Sequence, residues 1–146
     1  MGAHPAENKY GVLFSELHSV ALTDMDGDGL KDIVTGKTYW SHHRQSPMWD
    51  AGAVVTWFKL VRNASVTKPN SADKVDWLPY QASGETGIGR QLTVADINAD
   101  GLPDIATGGM LGANVLLHAR AKVTAEQFTA EQPKLYTGPP APAKDA

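Results

Sequence analysis

Residues 20–36, VALTDMDGDGLKDIVTG, lie over residues 92–108, LTVADINADGLPDIATG. Asp24, Asp28, Gly29, Leu30 and Asp32 recur as Asp96, Asp100, Gly101, Leu102 and Asp104, and Ile33, Thr35 and Gly36 recur as Ile105, Thr107 and Gly108. A chain that repeats itself in phase folds one unit twice, and this constraint outranks local propensity. Apolar and β-branched residues flank each acidic loop, so the unit is a strand, an acidic loop and a second strand.

Around the first copy, apolar runs bounded by turn residues predict strands at about 18–23, 32–40, 53–62 and 75–82. The second copy supplies strands at about 90–96, 104–109 and 113–119. Four strands are the content of one propeller blade. In AVVTWFKLV, Val54, Thr56, Phe58 and Leu60 face one way and Val55, Trp57, Lys59 and Val61 the other. Both faces are largely apolar, as in a sheet stacked between other sheets. The expected fold is all-β: two propeller-type units of four-stranded antiparallel sheet, about 10–83 and 84–121, with an acidic loop between the first and second strands of each.

The fourth strand of the second unit is missing. The run YGVLFSEL (10–17) stands before the first loop where VDWLPYQAS stands before the second, and is available to complete a sheet. Residues 1–9 read as a flexible N-terminus. Residues 122–134 read as a short helical segment with Thr124 as its cap, and 135–146 as a disordered proline-rich tail.

The charge is localised. The net charge is only -3, yet seven of the sixteen acidic residues fall in 24–32 and 96–104, where Lys31 is the sole basic residue. No basic stripe of the kind a nucleic-acid binder needs is present. No stretch approaches the roughly 18 apolar residues of a membrane span, and the opening MGAHPAENKY lacks a signal peptide's charged-then-apolar pattern. With no cysteine, disulfides and thiolate metal sites are excluded.

Gathering carboxylates costs Coulomb energy unless a cation sits among them. Positions 1, 3, 5 and 9 of the first loop are Asp24, Asp26, Asp28 and Asp32; Gly29 at position 6 permits a sharp turn, and Leu30 at position 7 offers its carbonyl. The second loop carries Asp96, Asn98, Asp100, Leu102 and Asp104 in the same places. All-oxygen ligands on a flexible loop favour Ca2+ over Mg2+ and Zn2+, giving two expected calcium sites. With Asn98 in place of a carboxylate, the second is expected to be the weaker. An Asp/Gly-rich turn holding no ion is the plain alternative.

Strand, D-x-D/N-x-D-G-x-x-D, strand, twice over residues 18–118, resembles the FG-GAP or VCBS repeat, the calcium-loop blade of integrin-α-like β-propellers. TGKTYW and TGGMLGANVLL stand where the family's name-giving Phe-Gly-Gly-Ala-Pro would be. The resemblance implies propeller blades with metal at 24–32 and 96–104, and no particular catalytic activity. Propellers close at about four to eight blades. The remainder is expected from self-association into a trimer or tetramer, from a longer array, or is dispensed with by a small domain in which the two sheets pack on each other.

The excursion YWSHHRQSPMWD (39–50) gathers Tyr39, Trp40, His42, His43 and Trp49 in a loop. These are candidate contacts for a carbohydrate or protein ligand, or an acid/base site; the alternative is tryptophans packed between sheets and solvated histidines. Adjacent histidines on an extended chain point to opposite sides, so His42 and His43 make a poor metal pair. GETGIGR (84–90) lacks a P-loop lysine and reads as a turn. The leading expectation is a noncatalytic calcium-binding module for binding or scaffolding, in an extracellular or periplasmic setting where millimolar calcium suits such loops. The second is a polysaccharide lyase or hydrolase with structural calcium and a histidine base from 39–50.

Overall fold

The computed structural model describes residues 4–40, 42–68 and 70–142. Among these residues, seven strands form two antiparallel sheets: β1 (Val20–Thr23), β2 (Asp32–Lys37), β3 (Val54–Arg62) and β4 (Val75–Ser83) in the order β1-β2-β3-β4, then β5 (Gln91–Ala95), β6 (Asp104–Gly109) and β7 (Gly112–Leu116) in the order β5-β6-β7. Both sheets are sequential meanders, so every pairing is local in sequence. Among the described residues, four strands are present only in the first sheet; the second has three, and the two sheets close no ring or barrel. Residues 11–19 form no strand, so YGVLFSEL does not extend the second sheet.

That run covers a face of the first sheet instead. Phe14 packs on Phe58, and an apolar groove of about 560 Å³ lies between residues 7–17 and the face made by Ile33, Phe58, Trp77 and Pro79. Lys9 and the Tyr10 hydroxyl both bond Asp76. The Tyr136 amide donates to the Lys9 carbonyl at 3.0 Å, so the start of the proline-rich tail is tied to the N-terminal segment rather than free. Pro5–Glu7 form a capped 3-10 turn within the expected flexible N-terminus. Residues 1–3 and 143–146 of the two termini, and Ser41 of the 39–50 loop, lie outside the described residues.

The helix, α1 (Ala125–Ala130), is shorter than the expected segment; Thr124 caps it, with Gln127 completing a capping box. None of its residues is buried, so no tertiary packing lengthens it beyond its capped first turns. Tyr80 Oη donates to Gln132 Oε1 at 2.7 Å and holds the turn after α1 to β4. Among the described residues no helix is long and apolar enough to cross a membrane.

The sheets stack through unlike faces. From the first sheet, Ala21, Val34, Val55 and Trp57 face the interface; from the second come Leu92, Val94, Ile105 and Leu116. Ala21 and Val34 correspond in the repeat to Thr93 and Ala106, whereas Leu92, Val94 and Ile105 correspond to Val20, Leu22 and Ile33. The front of one unit therefore meets the back of the next. Ile88, on the connection between the sheets, is wholly buried in this interface, and its amide donates to the Lys37 carbonyl. The Gly89 amide donates to the Gly108 carbonyl at 2.9 Å; a Cβ at Gly89 would strike that carbonyl, so the approach requires glycine.

Ile88→Ala removes the side chain around which both sheets close. A loss of about 2–5 kcal/mol of unfolding free energy is expected in a urea melt; a loss below about 0.5 kcal/mol would mean the sheets do not depend on this contact.

Candidate metal sites

Each acidic loop is organised by its first and last aspartates. Asp24 accepts from the amides of Gly27 (2.7 Å), Asp28 (3.1 Å) and Gly29 (2.8 Å). Asp96 accepts from those of Asp100 (3.0 Å) and Gly101 (2.8 Å). Asp28 and Asp100 each accept from the amide two residues on, Leu30 and Leu102, at 2.8 Å. Gly29 and Gly101 both take φ +85°, the left-handed turn expected at position 6. Gly27 has φ +82°, and its counterpart Ala99 is held at φ +62°, a strain marked in the sequence by alanine standing where the first copy has glycine.

Asp32 and Asp104 are fully buried. Asp32 Oδ2 accepts from the Met25 amide (3.1 Å) and Trp57 Nε1 (2.9 Å), and Oδ1 from the Leu60 amide (2.9 Å). Asp104 repeats this with the amides of Ile97 (2.9 Å) and His118 (2.8 Å). Position 9 thus fastens the entry of each loop to the third strand or its continuation. Oxygens of Asp24, Asp26 and Asp28 come within 4.8 Å of one another; that close group does not include Asp32.

A cation already stands in the first loop. Lys59 Nζ pairs with Asp26 and, at 2.9 Å, with Asp28, and the Arg120 guanidinium donates to the Asp26 carbonyl. Its signal in sequence was the single charge on an otherwise apolar β3 face. Leu60 and His118 play equivalent parts, so Lys59 corresponds to Leu117, and among the described residues no ammonium pairs with the second loop. There the Asn98 amide donates to Asp100 Oδ2 at 2.9 Å. Three carboxylates with one ammonium leave a formal -2, the same as Asp96 with Asp100, so charge alone no longer ranks the second loop as the weaker.

The 38–52 loop stands on Lys37. Its ammonium is buried and donates to the carbonyls of Tyr39 (2.7 Å), Thr38 (3.0 Å) and Gly52 (3.2 Å). Burial lowers its pKa, opposed by the fields of Asp50 and Glu16. Above it Trp40 stacks on Trp49 at 5.4 Å, Tyr39 meets Trp40 edge-on, and Arg44 lies over Trp49. Tyr39 and Trp40 are exposed rather than packed between the sheets. His42 and His43 diverge: His42 reaches His18, and His43 Nδ1 accepts from the Gln45 amide. No family model, no curated protein and no solved structure matches this chain.

The His118 and Ile97 amides hold the Asp104 carboxyl below its ordinary 3.8, against the opposing effect of burial. A carboxyl depressed in the folded state stabilises the fold above its unfolded value and loses that contribution as pH falls through the folded one. In calcium-free buffer, Asp104→Asn should lower the melting temperature at neutral pH and flatten its fall from about pH 4 downward. Parallel acid profiles for the two proteins would show that Asp104 has no such role.

Proposed function

We propose that this protein is a calcium-binding, noncatalytic β-sheet module of the FG-GAP/VCBS type that presents an exposed aromatic loop to a carbohydrate or protein ligand. The observation that carries the reading is the convergence of Asp24, Asp26 and Asp28, the last two of which already hold an ammonium. The donors suit calcium: hard carboxylate oxygens, with the Leu30 and Leu102 carbonyls at position 7. Asp24, Asp26 and Asp28 would hold one ion and Asp96, Asn98 and Asp100 the other, with Asp32 and Asp104 bracing the loops. The ion would neutralise charge and lock the loop. In the first loop it competes with Lys59.

Calcium near 10 mM should raise the melting temperature by several degrees, reversibly on chelation, as expected for sites with a Kd of about 10⁻⁴–10⁻³ M. Lys59→Met removes the competing charge and should tighten calcium binding at the first loop about thirtyfold or more, since a unit charge ~4 Å from a divalent ion costs about 2 kcal/mol even at the dielectric of water. A melt indifferent to both calcium and chelator would refute the reading.

Exposed Val20 and Leu22 at one end of the stack, and exposed Val115 at the other, support front-to-back continuation of the sheets. We infer that copies associate this way, the N-terminal segment yielding part of the face it covers. Light scattering at tens of micromolar should give a mass above the monomer's 15.6 kDa, returning to the monomer with Leu22→Asp. A monomeric wild type would refute the association.

The aromatic surface of Trp40 and Trp49, set beside Arg44, supports ligand contact through stacking and polar rim groups.

A further inference from the structure

The geometry points to a second kind of metal site, for Zn2+, formed by Glu16, His18 and His42. Glu16 and His18 precede β1, whereas His42 lies in the 38–52 loop, so the cluster joins two irregular segments that share no strand pairing. His18 Nε2 and His42 Nε2 stand 3.0 Å apart, with their rings nearly perpendicular at 88°. One ligand atom from each histidine and one Glu16 carboxylate oxygen lie within 4.8 Å of one another.

Distance identifies the class of ion. Two imidazole nitrogens on one tetrahedral zinc, each about 2.0–2.1 Å from it, stand roughly 3.3 Å apart. The observed separation needs an adjustment of only a few tenths of an ångström. Without metal, one Nε2 carries the hydrogen that the other accepts. With metal, both rings carry hydrogen on Nδ1 and present Nε2 lone pairs to the ion. Two imidazoles and one carboxylate are a borderline ligand set, suited to zinc and poorly suited to calcium.

Supporting contacts match those of metal sites. Ser46 Oγ donates to Glu16 Oε1 at 2.7 Å, orienting the carboxylate as outer-shell partners do. Glu16 is held at φ +60°, a conformation non-glycine residues seldom adopt, and this turn brings its side chain to the histidines. Both histidines are exposed, so the fourth coordination position opens to water or to an oxygen donor of an incoming ligand. Neither acidic loop contributes a ligand, and failure of the calcium reading would leave this one standing.

The test is calorimetric titration of ZnCl2 into the full chain, stripped of metal and kept in excess CaCl2. One equivalent should bind with a micromolar or tighter Kd. His18→Ala, His42→Ala and Glu16→Ala should each weaken binding at least about a hundredfold, and Ser46→Ala about tenfold, by analogy with the loss of an outer-shell partner. His43→Ala, which alters a neighbouring histidine outside the cluster, should leave affinity unchanged. Co2+ should give the visible absorption of a four-coordinate ion in the wild type and lose it in His42→Ala. Unaltered melting in chelator would show that the variants remain folded. Zinc binding weaker than millimolar, affinity retained in the doubly substituted His18→Ala, His42→Ala chain, or an equal loss in His43→Ala would overturn the proposal.

Discussion

The carboxylates of Asp32 and Asp104 are buried so that the backbone around them can be fixed. Placing an ion in the protein interior is costly unless hydrogen-bond donors replace the lost water. Asp32 has three, from Met25, Leu60 and Trp57, and Asp104 has the equivalent amides of Ile97 and His118. For Asp32 one donor comes from the acidic loop and two from β3. One carboxylate therefore sets the loop entry, the neighbouring strand and, through Trp57, the interface side chain that stacks on Tyr80 at 4.9 Å. With the loop held at both ends, the remaining aspartates cannot spread apart, and the repulsion among them must be met by a cation or a donor. Lys59 meets it in one loop, Asn98 in the other.

Stacking through unlike faces follows from the repeat and has a consequence for the whole surface. Two like faces packed together form a closed pair, whereas a front laid on a back leaves one front and one back unused. Here the unused back, bearing Val20 and Leu22, is partly screened by Phe14 and its neighbours. The unused front, bearing Thr93 and Val115, is open. Glycines allow the connection between the sheets to lie close on the first one: a Cβ at Gly36 would meet Ile88 as well as the Val54 carbonyl beside it, and one at Gly87 would meet Ala53 and the Lys37 carbonyl.

Much of this was legible in the sequence because the meander makes nearest neighbours in sequence nearest neighbours in space. All seven strands and the Thr124 cap were expected close to where they occur, since alternation and turn residues are local signals. What escaped was nonlocal. That position 9 braces the loop from within the fold requires knowing that Leu60 and His118 pass beside it. Residues 10–17 have the alternation of a strand, but they run over an apolar face, where side-chain burial replaces ladder hydrogen bonds. The meeting of Glu16 and His18 with His42 depends on two irregular segments, for which the sequence carries no period.

Lys37 and Asp32 sit at opposite ends of β2, both fully buried and of opposite charge. Each fixes a loop. The carboxylate draws backbone amides to itself and shapes the acidic turn; the ammonium draws three carbonyls and shapes the aromatic one. Three donors meeting three acceptors leave no ammonium hydrogen unpaired, and this saturation is what makes a buried lysine tolerable despite its lowered pKa. A solvated lysine would leave those carbonyls to water and the 38–52 segment without a fixed base. The stack of exposed Trp40 on half-buried Trp49 can then keep one geometry without full burial, because its support is polar. Such preorganisation lowers the entropy lost when a ligand binds. β2 thus couples the two ends of the unit: the buried anion positions the acidic loop, and the buried cation positions the aromatic one.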